Sequence, residues 1–307
     1  MSLYPPPQII EAEIFTRLPE RFRIEGRRSV WTEANRPGAT LHSFIEGPSF
    51  DRAGNLFIVD IPWGRVFKVA PDGMWTQVAE YDGEPNGLKI DRDGRILIAD
   101  YKNGIVELDP ASGAVKPILE RVRVERFKGV NDLVFAANGD LYFTDQGLTG
   151  LHDATGRVFR LAADGRLTCL VDTVPSPNGI VLNERETQVY VAVTRANAIW
   201  RLPLLADGGT TKVGLFIQLS GGLSGPDGLA LGAEGGLWVC HAGNGCAWGF
   251  DRLGHPKYRV VVPEGLMTTN LAFGGDDRRT LFITESDTGT IYRAQVPVAG
   301  RVMYSHA

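Results

Sequence analysis

Six residues with oxygen-bearing side chains open six similar stretches of this chain: Glu46, Asn86, Asn131, Asn178, Asp227 and Asn270. Their spacings are 40, 45, 47, 49 and 43 residues, so one structural unit apiece would bring them to equivalent places. Each is a carboxylate or a carboxamide, able to present an oxygen to a common centre. Carboxylates that converge repel one another and lose hydration unless a cation neutralises them. Glu46 and Asp227 supply two negative charges, matching a divalent ion, while carboxamides add ligand oxygens without further charge. Oxygen-only ligation suits the hard cations, Ca²⁺ first and then Mg²⁺ or Mn²⁺, with Zn²⁺ as a further alternative. The expected metal ligands are Glu46, Asn131, Asn178 and Asp227. Glu46 carries the most information, because glutamate is a poor turn residue and Gly47 and Pro48 already provide for the turn. Asn86 and Asn270 fit ordinary turn chemistry equally well. They are read as substrate contacts, a role that Asn131 shares.

A second register follows the first. Fourteen residues beyond the ring positions stand Asp60, Asp100, Asp145 and His241, with Thr194 and Glu285 at slightly longer offsets. In a hairpin the end of the second strand returns beside the start of the first, so this register faces the same mouth. The three aspartates also suit caps of the following turn; Asp145 is carried forward as a substrate contact. His241, and His42 just before Glu46, are candidates for substrate contact or proton donation. Other motifs fail on inspection. Gly243, Gly245 and Gly249 nearly spell a dinucleotide fingerprint, but no helix follows. Asp91-Arg92-Asp93-Gly94 resembles the opening of a calcium loop, yet its twelfth position is Lys102 and not Glu, which leaves a turn.

The elements that must position these residues are short strands. Asn86 opens NGLKIDRDGRILIAD and then NGIVELDPASG; Asn131 opens NDLVFAANGDLYFTD and then GRVFRLAADG. Period-2 alternation bounded by Asp-Gly and Asn-Gly turns is the mark of hairpins. A more variable fourth strand fits residues 76–79, 116–119, 167–171 and 259–262. Four antiparallel strands in each of six copies predict an all-β, six-bladed β-propeller with a central metal site, occupying residues 1–307 as one domain. Glycine supports this, at 37 of 307 residues or about 12% against the ~7% usual in proteins. The last copy is short of residues after Tyr292, so a strand near residues 9–16 is expected to close it, with residues 20–45 crossing from rim to centre. A net charge of −4 does not suit a nucleic-acid or acidic-membrane partner. Three cysteines without a CxxC suggest neither disulfide framework nor zinc ribbon. The N-terminus does not read as a signal peptide, and the expected location is cytoplasmic. Oligomeric state is left open.

The motifs EGPSFD around Glu46, VNDLVF around Asn131, PNGIVL around Asn178, PDGLAL around Asp227 and TNLAFGG around Asn270 resemble those of the SMP-30/gluconolactonase/luciferin-regenerating-enzyme superfamily. The resemblance covers residues 40–296 in the family's order. It implies a six-bladed propeller with an axial divalent cation, often Ca²⁺, held by Glu46, Asn178 and Asp227, and with Asn131 on the metal or the substrate. The implied activity is hydrolysis of a small-molecule lactone, with organophosphate-hydrolysing relatives on the same scaffold. Asp227 would then take a proton from the attacking water. Sugar-lactone members carry an arginine two residues before the Asn131 position, where this chain has Gly129 beside Lys128; a less polar lactone is therefore open. Trp63, Trp248, Phe127 and Leu148 are expected pocket walls. A non-catalytic binding propeller is the competing class, and it would have no use for the ring of oxygen donors.

Overall fold

The computed structural model describes residues 5–307. Its strands form six blades in chain order: residues 45–80, 85–119, 130–174, 177–218, 225–261 and 268–295. The first five stretches are four-stranded antiparallel meanders, and 268–295 supplies three strands of the sixth. In the first two blades aspartates make the turn between first and second strands. Asp51 Oδ1 accepts from the backbone N–H of Ala53 and Asn55, and Asp91 Oδ1 does the same for Asp93 and Arg95. Gly94 supplies the positive φ of 83° such a turn requires. The calcium-loop-like stretch at 91–94 is thus a hairpin turn.

Innermost strands touch in sequence from Ile45–Phe50 to Pro85–Ile90 and onward, until Thr268–Gly274 returns to Ile45–Phe50. Apolar side chains fill the spaces between adjacent blades; Tyr142 and Val158 of the third, for example, meet Ile180 and Val189 of the fourth. Buried hydroxyls stitch neighbours together where the ring residues lie. Thr144 Oγ1 donates to Asn178 O at 2.7 Å, Thr194 Oγ1 to Pro226 O at 2.8 Å, and Ser286 Oγ to Ile45 O at 2.6 Å across the closing seam.

The N-terminal segment differs from the expectation of one closing strand. Glu13–Arg17 runs antiparallel to Thr290–Gln295 as the outer strand of blade six. Gln8–Glu11 instead runs parallel to Pro256–Val261 and becomes a fifth strand of blade five. Ala12, buried between the two, donates its N–H to Val261 O at 2.9 Å and marks the step from one blade to the next.

Residues 20–45 do cross to the axis, and they carry a helix that periodicity did not show. Val30–Asn35 is capped reciprocally by Ser29 and Thr32, at 3.2 and 2.9 Å. Trp31 beneath it joins Leu41, Phe44 and Ile61 in a small apolar cluster over one mouth of the channel. The other mouth is covered by residues 300–307: Arg301 pairs with Glu186 at 2.5 Å, Arg52 Nε donates to Ser305 O at 2.7 Å, and Tyr304 stacks on Phe135. Access to the axis is therefore from the helix side. Among the described residues no helix is long and apolar enough to cross a membrane.

Candidate functional site

Every innermost strand is interrupted by a bulge where its ring residue lies, between Glu46 and Ser49, Pro85 and Leu88, Val130 and Leu133, Pro177 and Ile180, Pro226 and Leu229, and Thr268 and Asn270. A bulge re-aims side chains out of the pleat. Five of the six expected residues, Glu46, Asn86, Asn131, Asn178 and Asp227, line one cleft of about 640 Å³ at the helix-side mouth.

The sixth does not. Thr268 pairs with Glu285 as Ile45 pairs with Asp60, so Thr269 holds the ring register and Asn270 lies one residue further in. Thr269 is engaged with Ile45 O at 3.1 Å and Ser286 Oγ at 2.9 Å. Asn270 Oδ1 accepts from Leu271 N at 2.8 Å, which turns its amide N–H groups toward the carboxylates of Glu46 and Asp132. Asn270 thus presents donors rather than an oxygen, beneath the cleft. Asp132 is its counterpart in blade three, with Oδ1 accepting from Leu133 N at 2.8 Å. In the other four blades this inner position is glycine. A Cβ at Gly87 would meet Asp132 Oδ1 at 2.4 Å, and one at Gly228 would meet Asn270 Oδ1 at 2.1 Å. Asp132 is a buried channel carboxylate outside the expected set; its mark in the sequence is VNDLVF in place of the NGL and DGL of other copies.

The amides are oriented by a network. Asn131 Nδ2 donates to Gln146 Oε1 at 3.0 Å, Gln146 Nε2 to Ser176 Oγ at 3.0 Å, and Ser176 N to Thr149 Oγ1 at 3.1 Å. Asn131 Oδ1 is left buried with no hydrogen-bond partner. Asn178 donates to the Asp227 carboxylate. Burial pushes the Glu46 carboxyl up to about 7, against the bond it accepts from Gly47 N at 2.9 Å, and the charge of Asp132 adds to the rise. Asp227 is pushed well above the usual carboxylate range, first by burial and then by the charges of Glu46 and Asp132; Arg195 on the rim opposes this.

The second register is structural. Asp60 Oδ1 accepts from Phe44 N at 2.7 Å, Asp145 Oδ1 from Gly129 N at 2.8 Å, and Glu285 Oε1 from Met267 N at 2.9 Å; Asp100 does the same for Glu84 N. Each carboxylate ties the end of the second strand to the residue that precedes the first. Asp145 is further bound by Arg157 at 2.5 Å, so it faces no substrate space. His241 lies outside the cleft, its Nδ1 receiving Asn244 Nδ2 at 3.0 Å and Trp248 Nε1 at 3.2 Å. That leaves the proton on Nε2, and burial lowers its affinity for a second one. His42 also lies off the cleft with Nδ1 on Ser43 Oγ at 2.8 Å, lowered by burial and by Arg23. The expected contacts through Asn270, His241, His42 and Asp145 therefore have no counterpart in the cleft wall.

Of the expected walls Leu148 is present, while Trp63, Trp248 and Phe127 point elsewhere. Trp31, Phe44, Ile61, Leu151 and Met267 supply the apolar lining, and Arg36, His152 and Arg195 the basic groups. The space an arginine at position 129 would need is filled by the Tyr101 ring, 2.6 Å from a Cβ there.

The donors fit a hard divalent cation. Two buried carboxylates sit above their ordinary pKa, as they do without a counterion, and an orphaned amide oxygen stands beside them. Among the described residues no group of three His, Cys, Asp or Glu is placed to hold a metal. The ring offers two carboxylates supplemented by carboxamides.

A six-bladed channel with these motifs defines the class: the chain belongs to the SMP-30/gluconolactonase/LRE-like family, whose model matches residues 44–287. Among curated proteins it is similar to the lactonase drp35 of Staphylococcus aureus strain MRSA252, 30% identical over 76% of this chain and 73% of that one. It is likewise similar to lactonase drp35 of Staphylococcus saprophyticus, at 29% over 89% and 88%. Among solved structures it resembles a gluconolactonase of Xanthomonas campestris (TM-score 0.73, 23% identity, 90% and 99% covered). It also resembles a calcium-binding regucalcin of Agrobacterium tumefaciens (TM-score 0.75, 23% identity, 98% and 99% covered).

Proposed function

We propose that this chain is a divalent-metal-dependent lactonase, with the ion held by Glu46, Asn131, Asn178 and Asp227 and Ca²⁺ as the first choice. The observation that carries the reading is the meeting of two buried carboxylates with the unpartnered Asn131 Oδ1 on the floor of a cleft of about 640 Å³. Lactonase relatives support the substrate class. The regucalcin neighbour is described as calcium-binding, which agrees with the choice of ion.

When bound, the cation supplies Lewis acidity at the lactone carbonyl. The remaining work falls to side chains. Asp227, which accepts a hydrogen bond from Asn178, takes a proton from water as it adds to the carbonyl carbon. The ring C–O bond then breaks, the same proton passes to the departing alkoxide, and a hydroxy acid leaves. Asn131 is locked in one amide orientation by Gln146, and Asn86 stands beside it to position the ester. Trp31 and its apolar neighbours line the cleft and limit the bulk water that reaches it.

A panel of simple lactones followed with a pH indicator, with and without chelator, tests the reading. Turnover that is lost in chelator and returns with Ca²⁺ is expected. Turnover indifferent to chelation removes the metal from the scheme. Activity confined to a fluorophosphate in the same panel replaces the ester by a phosphotriester.

A further inference from the structure

The floor of the cleft accounts for ester cleavage but not for the basic groups on its rim. The charges pair off one by one. Glu46 and Asp227 bring two negative charges, which one divalent ion would cancel. Asp132 beneath them stands 3.7 Å from Lys89 Nζ, and Arg36 is matched by Asp287 at 2.7 Å. Arg195 remains. It is exposed on the cleft wall; its charge reaches Asp227 at longer range, but among the described residues no carboxylate lies within ion-pair distance of it. Its backbone is held in the short turn Thr194–Ala196, anchored by Thr194 Oγ1 on Pro226 O and closed by Asn197 N on Thr194 O at 3.1 Å. Gly150 lets the two basic side chains come together: a Cβ there would crowd the His152 ring, 3.2 Å from its Nδ1, and touch Arg195 Cγ at 3.7 Å. The stem of Arg195 and the imidazole of His152 therefore meet beside Gly150, and both residues line the same cleft as the ring carboxylates.

Resting on the lactonase reading, we propose that the substrate is a lactone bearing a carboxylate, bound by Arg195 with His152 beside it, while the ester lies over the ring residues. One guanidinium without an ion-pair partner suits one carboxylate, whose two oxygens its planar fork can engage together.

The test compares γ-butyrolactone with its 5-carboxylate derivative on Ca²⁺-saturated protein, alongside calorimetric binding of the non-hydrolysable 3-oxocyclopentanecarboxylate. The carboxylate substrate is expected to have the higher kcat/KM. Arg195→Leu should lower the ratio of the two by roughly 10- to 100-fold, through KM rather than kcat. It should weaken analogue binding by a similar factor, with Arg195→Lys restoring part of both. Arg166→Leu, on an outer loop of blade three, should leave the ratio unchanged. No preference for the carboxylate, or a preference that survives Arg195→Leu, overturns the proposal. If neither lactone is hydrolysed while the analogue binds and needs Arg195, the lactonase reading fails and the carboxylate subsite stands. If the analogue does not bind, the subsite fails whatever the turnover.

Discussion

Asn131 donates its amide to Gln146 Oε1 at 3.0 Å, and that one bond decides which end of Asn131 faces the axis. Gln146 is itself fixed by Ser176, a non-glycine residue held at φ 65°. The oxygen of Asn131 is consequently aimed and unpartnered before any ligand arrives. Gln146→Ala frees the amide to rotate and present N–H groups to the channel. The expected result is a loss of Ca²⁺ affinity of roughly 10- to 100-fold, with the fold unchanged. Calorimetric titration of the variant checks this; wild-type affinity would show that Asn131 holds its orientation without the network.

Glu46 gives a pH signature. Its carboxyl is pushed up to about 7 from an ordinary 4.5, so the folded metal-free chain holds a proton that the unfolded chain has released between those values. Folded protein then binds more protons than unfolded protein, and stability falls as pH rises through that window, by on the order of 3 kcal/mol. Asp227, shifted in the same direction, adds to the slope. A divalent ion reverses the trend, since it needs both carboxylates ionised. Thermal unfolding in chelator should therefore show Tm declining from pH 5 to pH 8. Added Ca²⁺ should raise Tm most at the upper end, and Glu46→Gln should flatten the metal-free decline. A metal-free Tm that climbs over this range would contradict the assignment.

The ring was readable in the sequence wherever a carboxamide or carboxylate opened a strand at a constant place, which held for Glu46, Asn86, Asn131, Asn178 and Asp227. It slipped at Asn270 because TTN offers an asparagine one residue late, and only the pairing of Thr268 with Glu285 shows the offset. Residue type could not separate a cap from a catalytic group at Asp145 or His241. That distinction lies in backbone N–H groups such as Gly129 N, brought near by the hairpin. The lid helix Val30–Asn35 is too short for hydrophobic periodicity, and its only local mark was the Ser29–Thr32 pair. Arg195 and His152 reach the cleft from loops of different blades, a proximity that belongs to the assembled ring.

Gly87 tests the inner layer of the channel. A methyl group there would fall 2.4 Å from Asp132 Oδ1 and 2.7 Å from its Cα, with Asn131 O at 2.9 Å. Two of these are backbone atoms of the neighbouring blade and cannot step aside cheaply. Gly87→Ala should destabilise the protein by about 1–3 kcal/mol and weaken Ca²⁺ binding, because the strain falls on the strand that carries Asn131. Gly94→Ala, at a hairpin tip with nothing within 4 Å, should leave Ca²⁺ binding intact although its positive φ costs some stability. Denaturant titration beside calorimetry separates the two effects. Equal Ca²⁺ affinity in both variants would mean that the blade-two and blade-three contact does not position the ring.

Asp227 separates holding an ion from moving a proton. Asp227→Asn keeps the shape and one ligand oxygen, so Asn178 still has an acceptor, while the basic oxygen is lost. If Asp227 is the general base, turnover of a simple lactone should fall by roughly 10²- to 10⁴-fold with KM little changed. The variant should also bind Ca²⁺ more weakly, so rates must be compared at saturating ion. Hydroxylamine in place of water then offers a second readout, because an added nucleophile that needs no base should recover part of the lost rate. A variant that hydrolyses at the wild-type rate when saturated would assign Asp227 to ion binding alone and send the search for the base to the neighbouring Glu46.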